Sequence, residues 1–199
     1  MPFTTFALPL FRPVRWDILG LVVLLSLVHL FLGWGMPDWA EPLRVHADSH
    51  RSAPWQMLSY ALVHPGWVVA IGNAIGVGVG MTMASRTAGP LAAWVGIVGA
   101  SLLAGLWMSL QLDGNVSIGG ASPALFAALG MGSVAWRRIR HELTYGQRRD
   151  LIAGFGTIGL VAFALAMPLV LNNPAKWIHG IGLAWGLGIT SLFPRHWDG

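Results

Sequence analysis

Three polar side chains in an otherwise apolar sequence have the types that acyl transfer requires: Ser122 as nucleophile, His179 as base and Asn73 as amide donor. Ser122 sits in the run Ile118-Gly119-Gly120-Ala121-Ser122-Pro123-Ala124-Leu125-Phe126. Pro123 has no N–H and a φ fixed near the helical value, so it suits a first helical position and pushes the residue before it towards extended backbone. Ser122 is therefore expected to be the N-cap of a helix. At such an end the unpaired N–H groups and the positive pole of the dipole favour the negative charge that develops during acyl transfer. Gly119 and Gly120 allow backbone or substrate to approach closely. In this reading His179 accepts the Ser122 proton while Ser122 attacks a peptide carbonyl, and water later hydrolyses the acyl-enzyme. The only carboxylate near an apolar run interior is Asp17, at the boundary of the first, so a Ser-His dyad is expected rather than a triad with Asp. Asn73 would donate to the oxyanion together with the backbone N–H groups of Ala121 and Ser122.

These residues need a scaffold, and the composition says which kind. Of 199 residues 55% are hydrophobic and only 10% charged, with the apolar residues in long runs, as in a multi-span membrane protein. The runs predict an all-α membrane protein with six spans, near 17–36, 57–84, 88–110, 119–136, 151–171 and 177–194. They form one domain over 17–195, with short segments 1–16 and 196–199 on either side. The first run is too long for a cleavable signal peptide and no small-x-small site follows it. Of the twelve Lys and Arg residues, Arg12, Arg15, Arg86, Arg137, Arg138, Arg140, Arg148, Arg149 and Arg195 fall on one side of this arrangement. Only Arg44, Arg51 and Lys176 fall on the other, so the positive-inside rule places both termini in the cytoplasm. The net charge of +4 thus reports topology and an anionic lipid surface, and no nucleic-acid partner is expected. Trp16, Trp34, Trp55, Trp136 and Trp177 lie near segment ends, where Trp gathers at the membrane boundary. No cysteine is present, which removes disulfides and thiolate chemistry. His46 and His50 share the outer loop 37–54 with carboxylates, but their irregular spacing reads as a solvated loop rather than a metal site.

Depth ties the three residues together. Counting to the first cytoplasmic arginine of each span puts Asn73, Ser122 and His179 at roughly 20, 22 and 24 Å above the inner boundary of a core about 30 Å thick. Gly72, Gly76 and Gly80, and again Gly182 and Gly186, repeat every four residues and favour close helix approach. His179 and Gly182, three apart, share one face, so the tightly packed face also carries the imidazole. His29, at a similar depth, reads as an interhelical contact.

With these residues in order, the sequence resembles the rhomboid family of intramembrane serine proteases over Trp55 to Gly186. Trp55-Gln56 is similar to the Trp-Arg pair of the first loop, and His64 with Asn73 to the second-span pattern. Gly120-Ala121-Ser122 resembles the Gly-x-Ser nucleophile motif, and His179-x-x-Gly182-x-x-x-Gly186 the sixth-span motif. The resemblance implies a six-helix bundle whose cavity opens to the non-cytoplasmic side of the cell membrane. It implies cleavage of a transmembrane segment of another protein, with entry near the fifth span, with neither cofactor nor metal, and with His64, Gly120 and Gly182 in support. Three positions depart from the pattern: Pro123 stands where Gly is usual, Gln56 where Arg is usual, and Val69 where a second-span His helps hold the oxyanion. Losing one oxyanion donor typically costs about 10² to 10³ in rate. A catalytically silent rhomboid-like adaptor or chaperone that binds transmembrane helices is the alternative. A small-solute transporter would be expected to show duplicated halves, and none is visible.

Overall fold

The computed structural model describes residues 16–32, 37–64, 66–113, 117–141, 144–146, 148, 159 and 175–193. Among them are five long helices: α1 (Trp16–Leu30), α4 (Trp67–Ala88), α5 (Pro90–Gln111), α6 (Ser122–Ile139) and α7 (Ala175–Leu192). Two short ones, α2 (Ser49–Ser52) and α3 (Gln56–Ser59), lie in the loop between α1 and α4. The expected span 151–171, apart from Gly159, lies outside the described residues, as do most of segment 1–16 and all of the tail 196–199. The apolar stretches Trp67–Ser85 and Pro90–Gln111, 19 and 22 residues long, have the length to cross a bilayer. At 1.5 Å per residue they reach about 28 and 33 Å, against a hydrocarbon core of about 30 Å.

The second long helix begins at Trp67, ten residues later than the apolar run suggested. Residues 57–63 instead form the rest of α3, a 3-10 turn over Tyr60–Leu62 and an extended Val63. The sequence His64-Pro65-Gly66 explains the break, because Pro65 disfavours helical backbone at His64. The loop ahead of it is tied down rather than loose. Val45 and Ile118 exchange both backbone hydrogen bonds at 3.0 Å in an isolated bridge, fastening the loop to the segment that leads to Ser122. The fully buried Tyr60 donates its hydroxyl to the Ser101 carbonyl of α5 at 3.0 Å. Gln56, buried where the family motif carries Arg, accepts from Ser49 Oγ at 2.6 Å and donates Nε2 to the Pro42 carbonyl at 3.1 Å. An uncharged amide thus performs the bracing, with no ion to desolvate. The loop histidines turn to different partners: His46 Nε2 lies 3.6 Å from Glu41 Oε1 and His50 Nδ1 lies 3.0 Å from Ser109 Oγ.

Helix α6 is the hub, packed against α4, α5 and α7. Small residues set the spacing, since helices in lipid associate by close packing rather than by a hydrophobic drive. Gly80 of α4 lies against Ala128, and Gly182 and Gly186 of α7 lie against the Pro123 and Ala127 backbone, so a Cβ at any of the three would collide. Gly130 returns the contact from α6, against the Leu183 carbonyl. Contacts that advance together along the chains show that α4, α6 and α7 run parallel. At the end remote from Ser122, Arg138 donates Nη1 to Thr87 O (3.2 Å) and Nη2 to Thr190 O (2.8 Å) and Phe193 O (2.9 Å). One guanidinium therefore joins the C-terminal ends of α4 and α7 to α6, where carbonyls lack helical partners and a cation complements the dipoles.

Candidate active site

The approach to Ser122 is set by two backbone bonds and one glycine. Gly120 has φ +134°, a region that disfavours any side chain, and its N–H donates to the Tyr60 carbonyl at 2.8 Å. The chain then enters α6 at once, so the cap residue is Ala121 and Ser122 is the first helical residue. This corrects the expected N-cap role of Ser122: the turn at Gly120 starts the helix one residue early. The serine hydroxyl is consequently not the group that caps α6, and Ser122 retains an N–H that the helix itself does not bond. The Ala121 N–H, expected as an oxyanion donor, donates in this structure to His64 Nε2 at 3.3 Å.

His64 lies ahead of the α4 span and is 6% exposed. Accepting at Nε2 requires its proton on Nδ1. Burial first, and the charge of a protonated His29 second, push its pKa down to about 4; the Leu62 carbonyl pulls weakly the other way, without hydrogen-bond geometry at Nδ1. The ring is therefore neutral at ordinary pH and keeps its acceptor.

His179 is buried near the start of α7 and stacks on Phe126, ring centroids 4.5 Å apart and planes 18° from parallel. Phe126 stands one turn after Ser122 on the same side of α6, and helical side chains lean towards the N-terminus. The imidazole is thus brought to the Ser122 end of the helix, although neither of its ring nitrogens has a hydrogen-bond partner. The Ser122–His179 hydrogen bond is not formed in this structure; catalytic bonds of this kind commonly tighten only when substrate is bound.

Asn73 is 1% exposed and neither its Nδ2 nor its Oδ1 has a partner. It precedes Gly80 by seven residues, two helical turns, so it shares the face that meets α6. Register places the three residues at one level. From the Gly80–Ala128 contact, Asn73 lies about 10 Å up α4 and Ser122 about 9 Å up α6. From the Gly182–Pro123 contact, His179 lies about 4.5 Å up α7 and Ser122 about 1.5 Å up α6. Each unsatisfied buried polar group costs about 1–3 kcal/mol, so a set of them at one level calls for an explanation. Val69, expected at the place of a donor histidine, brings only an apolar side chain. Phe126 was not identified from the sequence as a site residue, although its spacing of four from Ser122 was the available signal.

The fold is that of an all-helical membrane protein in which small residues draw three parallel helices together, with a serine, a histidine and an amide near one level. The family model described as Rhomboid domain matches residues 51–196, and the chain belongs to the rhomboid family. No curated protein matches it.

Proposed function

We propose that this protein is an intramembrane serine endopeptidase that cleaves a peptide bond in or near the transmembrane segment of another membrane protein. The observation that carries the reading is the set of buried, partnerless polar atoms of Asn73 and His179 on the two helix faces that meet α6 at the level of Ser122. Ser122 Oγ attacks the carbonyl as its proton passes to His179, and the new oxyanion receives hydrogen bonds from Asn73 Nδ2 and the Ser122 N–H. His179 then gives the proton to the leaving amine, and water, activated by the same imidazole, releases the acyl group. His64 and Gly120 hold the backbone before Ser122, and Gly182 holds α7 against it. The scheme uses no metal or cofactor. The arginine-rich end of α6 lies about 24 Å along the helix from Ser122, which supports a site opening to the non-cytoplasmic side with both termini inside.

The rhomboid family also includes inactive members. A silent adaptor that binds transmembrane helices is favoured by Val69 and by the unmade Ser122–His179 bond. Labelling of the purified, detergent-solubilised protein with a fluorophosphonate probe separates the two. An active enzyme labels as wild type and not as Ser122→Ala or His179→Ala; well-folded wild type that stays unlabelled is an adaptor.

A further inference from the structure

His29 of α1 precedes the region matched by the family model, and the catalytic scheme does not use it. It is nonetheless buried, at 4% exposure, in a helix whose neighbouring residues Leu24, Leu27 and Phe31 face outward. Its ring stands edge to face against two others: His64, with centroids 5.7 Å apart and planes at 90°, and Trp67, at 4.9 Å and 87°. His64 in turn accepts the Ala121 N–H, one residue before Ser122. A continuous line of contact therefore runs from α1 through two imidazoles to the start of α6.

The line matters because His64 is weakly held in other respects. Its bond to Ala121 is long at 3.3 Å, and its Nδ1 has no hydrogen-bond partner. A single long hydrogen bond fixes neither the plane nor the rotamer of an imidazole, whereas a ring packed at right angles against it restricts both. Trp67, in the first turn of α4, fixes His29 from another side. We propose that His29 is a positioning residue for the nucleophile: by bracing His64 it keeps the Ala121 N–H bonded and the Gly120-to-Ser122 turn in register. This inference rests on the protease reading for its catalytic consequence, but the bracing itself does not.

The test uses the full chain in detergent micelles with His29→Leu, which approximates the volume without a ring, and His29→Phe, which restores one. Amide hydrogen exchange at Ala121 reads the brace, and the rate of fluorophosphonate labelling reads its effect on Ser122. In His29→Leu, Ala121 exchange rises and labelling slows by about tenfold each, the upper end of what one edge-to-face ring pair secures, while amides in the middle of α5 are unchanged. His29→Phe returns both to near the wild-type values. Ala121 exchange that is unaltered in a folded His29→Leu protein, or that rises only in step with every other amide, overturns the inference. If exchange responds as stated but wild type does not label, the brace stands and the protease reading fails. If wild type labels and exchange does not respond, the reverse holds.

Discussion

Gly130→Ala tests whether the α6–α7 contact positions the proposed Ser122–His179 dyad. A Cβ at Gly130 would stand 2.6 Å from the Leu183 carbonyl oxygen, 2.9 Å from Leu187 N and 3.2 Å from Gly186 C. All three are backbone atoms, so no side chain can turn away, and the helices must part by about 0.8 Å to regain ordinary contact. Overpacking of this kind costs about 1–3 kcal/mol. The displacement also moves His179, one turn further up α7 than Leu183, away from Ser122. Misplacement on the 1 Å scale lowers rate by as much as about 10²-fold. Gly188→Ala supplies the control, since a Cβ there meets nothing within 4 Å and Ala is the better helix former. Fluorophosphonate labelling rates and thermal midpoints of the two variants, side by side, give the answer. Gly130→Ala should label about 10-fold to 100-fold more slowly and melt lower, while Gly188→Ala labels as wild type and melts no lower. A Gly130→Ala protein that labels at the wild-type rate would show that α7 can move without disturbing the dyad, and the positional argument would fail.

Val69→His, which places an imidazole four residues before Asn73, should raise the labelling rate by about 10-fold or more if the site is short of one oxyanion donor; an unchanged rate would show that Asn73 and the Ser122 N–H suffice. Arg138→Ala removes three hydrogen bonds from a cation to helix-end carbonyls and should lower the thermal midpoint sharply, with Arg138→Lys intermediate because one ammonium cannot span both helix ends. His64 has a folded-state pKa of about 4 against an ordinary 6.5. Between those values the unfolded chain binds the additional proton, so stability is full above about 6.5 and declines as pH falls towards 4. His64→Phe should flatten that part of a pH–denaturation series.

Much of the site was legible because membrane sequences make polar residues conspicuous. Asn73, Ser122 and His179 stood out against apolar runs, and helical rise converted their distances from arginines into a common depth. Helix contacts now support the same level by an independent route, through Gly80, Gly182 and Gly186. What was not legible depended on how backbone groups are paired. A run of apolar residues does not show that Gly120 turns through positive φ, that the helix starts one residue early, or that His64 has taken the Ala121 N–H. The late start of α4 was visible in His64-Pro65-Gly66 but was masked by the hydrophobicity of residues 57–63. Arg138 read only as one of the nine arginines on the cytoplasmic side because charge counting cannot distinguish a solvated arginine from one whose guanidinium reaches three carbonyls.

The arrangement around α6 explains why these particular residues had to be small, polar or aromatic. At about 100° per residue, the side that meets α7 through Pro123, Ala127 and Gly130 lies roughly 105° from Ser122. The side that meets α4 through Ala128 lies roughly 120° away in the other direction. Ser122 therefore projects on the open side of α6, more than about 90° from either contact line, and Phe126 leans from it towards His179 of α7. Asn73 and His179 each lie on the face that their own helix presents to α6. The glycines bring both helices close to α6, and Phe126 gives the imidazole a surface to rest on without occupying its nitrogens. On this account a large side chain at Gly80 would withdraw Asn73 and one at Gly182 would withdraw His179, so the packing glycines and the polar groups act as one unit.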